Sequence, residues 1–415
     1  MAEKKGIIWF INKDCAPIEE FATLQRTVKQ AQYFQAQGYE VKIVCSARVH
    51  NRGINHIKKG LYVEEEYDGV PFLFVKTTAY KDNGFKRILS YTLFAYSVFC
   101  LRNKFEHPTV VVHTSRIPFD FYILKFVKRV KAKYIIDITD LWPRNFATVG
   151  LVSHNNIFLK FLYQFEKKFY EKADHVVFSM EGYKDYLREK KWDLESGGSI
   201  DLAKTHYVNN GIDLREIEEN MKVYKIDDKD LEDESLFRVI YLGSIRQANH
   251  LDFLIDAAKE LKGNPNIKVL VYGDGPDREL LEKRVSSEHI DNVIFKQKWI
   301  EIQYVPYVLS KAGINLLNYS KGWGHYGGSM NKMMMSYAIG KPIVCNVGMR
   351  YSPIRDNNLG IDRCFESSKE YADALLEIYN LPKDEYTAMC KRVKETAKEY
   401  DMPVLCQKFE EYCEL

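Results

Sequence analysis

Between Tyr326 and Pro342 the chain reads Y-G-G-S-M-N-K-M-M-M-S-Y-A-I-G-K-P, residue types and spacing suited to holding an anion. Gly327 and Gly328 let a backbone approach a ligand closely, and Tyr326, Ser329 and Asn331 bring polar groups beside them. The run from Met333 to Ile339 predicts a helix that Gly340 ends and Pro342 keeps from resuming. A glycine turn opening a helix aims N–H groups and the positive end of the helix dipole at one point. Lys332, in the first turn, adds a full charge there. The same pattern also serves close packing of two elements, and spacing alone does not separate the two.

Three further loops strengthen the anion reading. Gly243-Ser244-Ile245-Arg246 follows the strand-like Phe237–Leu242, Gly273-Asp274-Gly275-Pro276 follows Ile267–Tyr272, and Lys298-Trp299-Ile300 follows Val293–Phe295. Arg246 offers bidentate hydrogen bonds to phosphate oxygens and Trp299 a face to a planar base. Singly, each is an ordinary strand-to-helix turn. Together with the central stretch, which follows the strand-like Ile314–Leu317, they predict a nucleotide-diphosphate site at the ends of one sheet. In the first half, Asp137 and Asp140 lie in D-I-T-D-L-W-P, at the end of a strand over Tyr134–Ile138. His113 ends another strand at H-T-S-R. Asp140 either caps the next turn or serves as an acid, base or hydroxyl-binding group, and His113 is either structural or functional.

The elements that must position these groups alternate. Ile7–Ile11, Val41–Cys45, Phe72–Val75, Val110–His113, Tyr134–Ile138 and His175–Phe178 read as strands, with helices between several of them, the first over Phe21–Gln37. A charged, poorly periodic stretch, Leu214–Ser235, reads as a linker and surface segment. A second alternating series then runs from Phe237 to the strand Ile343–Cys345, with helices from Ser368 onward. The fold class is therefore α/β: two consecutive Rossmann-like, doubly wound domains, over 1–205 and 206–395. A last helix within 396–415 is expected to cross back to the first domain. Ligands of such sheets sit beyond the carboxyl ends of the strands, and a pair of domains predicts a cleft between them as the site.

Composition narrows the class. A length of 415 residues, 46% hydrophobic and 28% charged, is that of an ordinary globular protein of two or three domains. A formal charge of +3 gives no bulk electrostatic reason to expect nucleic acid as a partner. Eight scattered cysteines without a C-x-x-C pair argue against zinc and disulfides and fit a reducing cytoplasm. The N-terminal I-I-W-F-I reads as a first strand rather than a signal peptide. No run reaches the length of a membrane span. Ile88–Leu101, flanked by Lys86, Arg87, Arg102 and Lys104, is either a core helix or one lying on a membrane surface, and lysines at 125, 128, 131 and 133 add to the second reading.

D-L-W-P, V-N-N-G-I-D, Y-L-G-S-I-R, Y-G-D-G-P and Y-G-G-S-M-N-K…G-K-P, in this order over nearly the whole chain, resemble the retaining GT-B glycosyltransferases. More narrowly they are similar to the family 4 branch with fucosamine-transferase-like enzymes of bacterial capsule and O-antigen synthesis. The resemblance implies two facing Rossmann-like domains, with the acceptor on the first and a nucleotide-sugar donor on the second. It implies no metal and no cofactor, the nucleotide diphosphate sugar being a co-substrate. Carried over, it makes Gly243, Ser244 and Arg246 diphosphate-facing, with Gly273 and Gly275 also donor-side, and Trp299 and Ile300 base-facing. Tyr326, Gly327, Gly328, Ser329 and Asn331 cradle phosphate and sugar, and Lys332 joins Arg246 in stabilising the departing diphosphate. Asp140 and His113 face the transferred sugar and the acceptor. The implied protein is a cytoplasmic transferase, moving a sugar with retention from a UDP-linked donor to a glycan or lipid-linked acceptor, with peripheral contact at the inner membrane.

The chain departs from that pattern in three places. Two glutamates are usual around this helix; Gly328 and Met335 stand at the corresponding positions, and a thioether cannot accept a ribose hydroxyl as a carboxylate does. Ser244 and Asn249 replace a customary pair of basic residues, leaving Arg246 as substitute. Glu19 and Glu20, in Pro17–Thr23, replace a glycine-rich acceptor loop and either bind acceptor hydroxyls or are simply solvated. A catalytically silent partner subunit and a nucleotide-sugar epimerase are the alternative readings.

Overall fold

The computed structural model describes residues 5–20, 26–49, 53–80, 85–114, 119–148, 152–153, 155–320 and 323–414. The chain divides into two compact units, one formed by residues 1–210 with 402–415, the other by 211–401.

The first unit is built on eight strands. β1 (Ile7–Ile11), β2 (Glu40–Ser46), β3 (Tyr62–Tyr67), β4 (Val70–Val75), β5 (Val110–Thr114), β6 (Lys133–Ile138), β7 (His175–Phe178) and β8 (Thr205–Tyr207) line up as β3-β4-β2-β1-β5-β6-β7-β8. All neighbours are parallel except β3 and β4. Every residue of β1 is buried, as a central parallel strand covered on both faces requires. β3 was not foreseen. It forms a hairpin with β4 through Asp68-Gly69, both at positive φ (56° and 73°), the two-residue turn that a D-G pair signals. The helices are α1 (Arg26–Ala36), α2 (Phe85–Leu101), α3 (Phe121–Val130), α4 (Trp142–Thr148), α5 (Ile157–Lys172) and α6 (Tyr183–Glu189). The expected start of the first helix at Phe21 lies outside the described residues.

α2 settles one alternative. Tyr91, Phe94, Ala95, Val98 and Leu101 are buried in one stripe, so it is a core helix. No helix among the described residues is long and apolar enough to cross a membrane.

The second unit holds α7 (Leu214–Val223), α8 (Lys229–Glu232), β9 (Phe237–Leu242), α9 (Leu251–Glu260), β10 (Ile267–Tyr272), α10 (Arg278–Ser287), β11 (Val293–Phe295), α11 (Val305–Ser310), β12 (Ile314–Leu317), α12 (Asn331–Ile339), β13 (Ile343–Cys345), α13 (Pro353–Asp356), β14 (Gly360–Asp362), α14 (Ser368–Tyr379) and α15 (Lys383–Ala397). Its six strands are all parallel and run β11-β10-β9-β12-β13-β14. The order reverses between β9 and β12, the switch point of a doubly wound sheet, where ligands gather. α16 (Met402–Cys413) returns to the first unit and packs on α1.

The stretch Leu214–Ser235 corrects the linker expectation. Asp213 caps α7 by accepting from the Glu216 amide at 3.1 Å, and Ile217 and Leu231 are buried. Lys296 Nζ pairs with both Asp228 and Asp230 at 2.7 Å, fastening the segment to the end of β11. Its charges looked solvated because their partners lie some seventy residues away.

In the first unit, the Arg26 guanidinium donates Nε to Asp137 Oδ2 at 2.9 Å and Nη2 to Oδ1 at 3.0 Å, and Nη1 to the carbonyl of Asn209 at 2.5 Å. Asp137 is fully buried. One side chain thus joins α1, β6 and the segment after β8. Asp137→Ala leaves a buried, unpaired guanidinium and is expected to cost about 3–5 kcal/mol, measured as the loss in denaturant-unfolding free energy.

Candidate functional site

At the switch point of the second sheet, β9 ends in Tyr241-Leu242 and turns through Gly243 to Arg246. Gly243 has φ 152° and lies directly beneath Lys332: a Cβ placed there would sit 2.2 Å from Lys332 Nζ. The ammonium donates to the Tyr241 hydroxyl at 3.0 Å and lies 4.3 Å from the centre of that ring. The Tyr241 hydroxyl in turn donates to the Ser244 carbonyl at 2.6 Å, leaving its lone pairs for the lysine. The Tyr319 ring, just beyond β12, lies 5.7 Å from the same ammonium.

No carboxylate among the described residues pairs with Lys332 or with Arg246, whose side chain is exposed. Burial first, and the nearby Arg246 charge second, push the Lys332 ammonium down to about 7. Two neighbouring cations without a counter-ion, one of them poised near neutral pH, form a place where an anion is favoured.

The loop after β10 buttresses this turn. A Cβ on Gly273 (φ 123°) would fall 1.9 Å from the Gly243 carbonyl oxygen, so two loop backbones touch where no side chain fits. A Cβ on Gly275 would likewise meet the Ile245 carbonyl, at 2.0 Å. Arg278, buried and unremarked in the sequence, donates to the Gly273 carbonyl and to the Lys296 carbonyl, the latter at 2.7 Å. Gly273 and Gly275 are thereby explained by packing of one loop on another.

The central stretch folds as its spacing predicts. α12 starts at Asn331 with no side-chain cap from Met330, and it stops at Gly340 in the left-handed conformation (φ 73°). The cradle is corrected in part. The Gly327 amide donates to the Gly324 carbonyl at 3.0 Å, so it is already engaged, and Tyr326 is buried. Gly328 admits the sulfur atoms of Met330 and Met349, which would lie 2.6 and 2.9 Å from a Cβ there. Ser329 and Asn331 are half-buried at the helix start, and Met335 is buried in the core face of α12. Ile300 is half-buried and Trp299 is 58% exposed, on the loop after β11, two strands from β9. The structure thus gathers Gly243, Ser244, Arg246 and Lys332, with Gly273 behind them.

In the first unit, two expectations are corrected. His113 is 2% exposed and both ring nitrogens are occupied, Nδ1 with the Tyr134 hydroxyl at 2.8 Å and Nε2 with Asp120 at 3.3 Å. It belongs to a buried polar cluster and offers no ring nitrogen to a substrate. Glu20 pairs with His56 at 2.9 Å, and His56 stacks on Phe74 at 3.8 Å, so this carboxylate fixes the loop after β1. Glu19 is exposed. Residues 21–23 of that loop, and Ser115 and Arg116 after His113, lie outside the described residues. Asp140 is half-buried and pairs with no described residue. A group the sequence reading passed over is Lys13, buried at the end of β1, 4.2 Å from the Tyr91 ring and 3.5 Å from Asp14. Burial lowers its pKa. The run N-K-D directly after the first strand was the available signal. Among the described residues no group of three or more His, Cys, Asp or Glu is placed to hold a metal.

Comparison with known proteins is consistent with this geometry. The chain aligns with a sucrose-phosphate synthase from Thermosynechococcus elongatus at TM-score 0.71 and 14% identity, covering 98% of this chain and 97% of that one. It aligns with Anabaena Alr3699/HepE in complex with UDP-glucose at TM-score 0.63 and 11% identity, covering 98% of each. The fold is that of the GT-B glycosyltransferases. Within this GT-B chain, residues 237–380 match the family described as Glycosyl transferases group 1, a span that contains every donor-side residue discussed above and none of the first unit. The UDP-glycosyltransferase TURAN of Arabidopsis thaliana is 27% identical over 128 residues, 30% of this chain. That match spans about a quarter, 26%, of the relative's length.

Gly273→Ala tests the buttress. It forces a methyl against the Gly243 carbonyl and is expected to cost about 2–4 kcal/mol in unfolding free energy. Gly263→Ala, with nothing within 4 Å of the added carbon, should change stability by less than about 1 kcal/mol.

Proposed function

We propose that the protein is a glycosyltransferase that takes a sugar from a UDP-linked donor, the diphosphate lying against Lys332, Arg246 and the start of α12. The observation that carries this reading is the pair of cations without a carboxylate at the switch point of the second sheet. The group 1 glycosyl transferase match over the same residues supports it, as does the likeness to a protein solved with UDP-glucose. In the transfer step, negative charge develops on the leaving diphosphate as the glycosidic bond breaks. Lys332 and Arg246 stabilise that charge without a metal, and Lys332 takes up a proton as the anion arrives. Transfer is with retention, onto a glycan or lipid-linked acceptor held by the first unit, where Asp140 and Glu19 are carboxylates without a described partner, open to an acceptor hydroxyl. The resemblance to capsule and O-antigen enzymes supports a role in bacterial surface polysaccharide synthesis, at the cytoplasmic face of the membrane.

Met335 favours one second reading. A buried thioether occupies a position where related enzymes hold ribose with a carboxylate, and no Asp or Glu occurs between Gly327 and Lys341. A catalytically silent partner subunit in polysaccharide assembly fits that loss. Calorimetry separates the two: no binding of UDP at millimolar concentration assigns the chain to the silent class.

For the active reading, Lys332→Ala and Arg246→Ala should each weaken UDP-glucose binding roughly 10- to 100-fold, the value of a charged hydrogen bond lost, without changing thermal unfolding by more than a few degrees. Unchanged affinity in both rules out this assignment. The pH dependence has a defined sign. UDP-glucose favours the protonated lysine, so affinity is flat below pH 7 and falls above it, by up to about tenfold per pH unit until the pKa of the complex is reached. Lys332→Met should abolish that slope.

A further inference from the structure

We infer that α5 is a docking face for a lipid bilayer bearing anionic headgroups. This deepens the proposed reading, on which it rests for the presence of a membrane-borne acceptor, by naming where the chain meets that membrane. α5 buries one stripe, Leu159, Leu162, Tyr163, Glu166, Phe169 and Tyr170, and turns a second apolar stripe outward. Ile157, Phe158 and Phe161 are 85%, 54% and 57% exposed. Phe165 lies a turn further on, its ring 4.9 Å from that of Phe161. Asn156 caps the helix, accepting from the amides of Phe158 and Leu159 at 2.8 and 3.3 Å, so these side chains stand on a set first turn. Elsewhere, exposed apolar residues occur singly, as at Val223 and Leu280, or in twos, as at Leu61 and Tyr62, which is normal for a protein surface; three on one helix face are not.

The charges around this face select the occupant. Lys160, Lys168 and Lys172 are exposed and share the outward face by helical spacing, and none is paired with a described carboxylate. Lys167 is neutralised by Glu171 at 3.8 Å. Of the helices nearby, α4 contains no Asp or Glu, and neither do α2 and α3; α6, whose Tyr186 donates to Glu166 of α5 at 2.7 Å, carries Asp185 and Glu189 beside Lys184 and Arg188. Lys125 of α3 lies 4.7 Å from the ring of its own helix's Phe121. α4 packs on α5, and its Trp142 meets Phe119, just before α3, at 6.0 Å. A second copy of the chain across a two-fold axis would set lysine against lysine. An anionic lipid surface complements both the apolar stripe and the lysines. α2, the helix whose flanking charges first suggested a membrane, turns its own stripe into the core instead.

Vesicle co-sedimentation tests this with the full chain. Vesicles of phosphatidylcholine with about 30% phosphatidylglycerol should pellet the protein, and phosphatidylcholine alone should pellet at least about tenfold less. Phe158→Ser with Phe161→Ser, and separately Lys160→Glu with Lys168→Glu and Lys172→Glu, should each reduce binding to the anionic vesicles about tenfold or more. UDP-glucose affinity and thermal unfolding should stay unchanged, since these residues are exposed and lie outside the donor site. Failure of the wild-type chain to pellet with anionic vesicles overturns the inference, and so does wild-type binding by both variants. A dimer that the phenylalanine variant converts to monomer also overturns it, assigning the face to a second copy. Vesicle binding that persists in a chain unable to bind UDP-glucose leaves this inference standing and removes the donor reading instead.

Discussion

An ammonium group held away from water, with no carboxylate among the described residues beside it, is the constraint on which the second unit turns. Desolvating a lysine costs several kcal/mol unless something compensates, and here the compensation is a phenol oxygen and two aromatic faces. Tyr241 can play that part only because its own proton goes to the Ser244 carbonyl. That bond bends the chain tightly after β9, and glycine at 243 follows from the φ of 152° there, which side chains rarely adopt; the flexible end of the lysine lies in the space a Cβ would take. Gly273 follows from the same crowding one strand further out. A single buried charge thus accounts for the composition of two loops and the position of the first turn of α12. It also gives the site its latent appetite for an anion.

The first unit uses charge in the opposite way. Its ionised groups after β1, β5 and β6 are almost all matched: Arg26 to Asp137, Asp120 to His113, Glu20 to His56. Matched pairs orient elements but leave nothing over for a ligand. Asp137 and Asp140 illustrate the difference at close range. Asp137, still within β6, points into the sheet's cover and receives a bidentate guanidinium. Asp140 has left the strand and meets no partner among the described residues. A carboxylate's role here is decided by whether the strand has ended.

Much of this was legible in the residues, and the boundary of legibility has a physical meaning. The limits of α12, the glycine that stops it and the alternation of strands and helices depend on local preferences, and they were readable. So was the convergence of the loops after β9 and β12, which follows from the rule for doubly wound sheets. What failed depended on partners that the local pattern does not name, some of them far off in the chain. His113 looked available until Tyr134 and Asp120 filled both nitrogens. Leu214–Ser235 looked like a linker until Lys296 gathered its aspartates. Gly327 looked like an open donor, yet its amide closes a turn onto Gly324, a bond of only three residues that spacing did not reveal.

The methionine run in α12 carries the argument one step further. With Met333, Met334 and Met335 all buried, the helix contributes no carboxylate to a nucleotide; its first-turn charge, the Asn331 carboxamide and backbone amides are what it can offer. In the proposed reading, recognition of the donor therefore leans on cations meeting phosphate rather than on hydroxyls meeting carboxylate. Ion-pair terms are screened by salt, whereas a buried neutral hydrogen bond is not. A site of this composition trades discrimination between sugars for attraction to the diphosphate common to them all. Selectivity must then come from side chains around the transferred sugar.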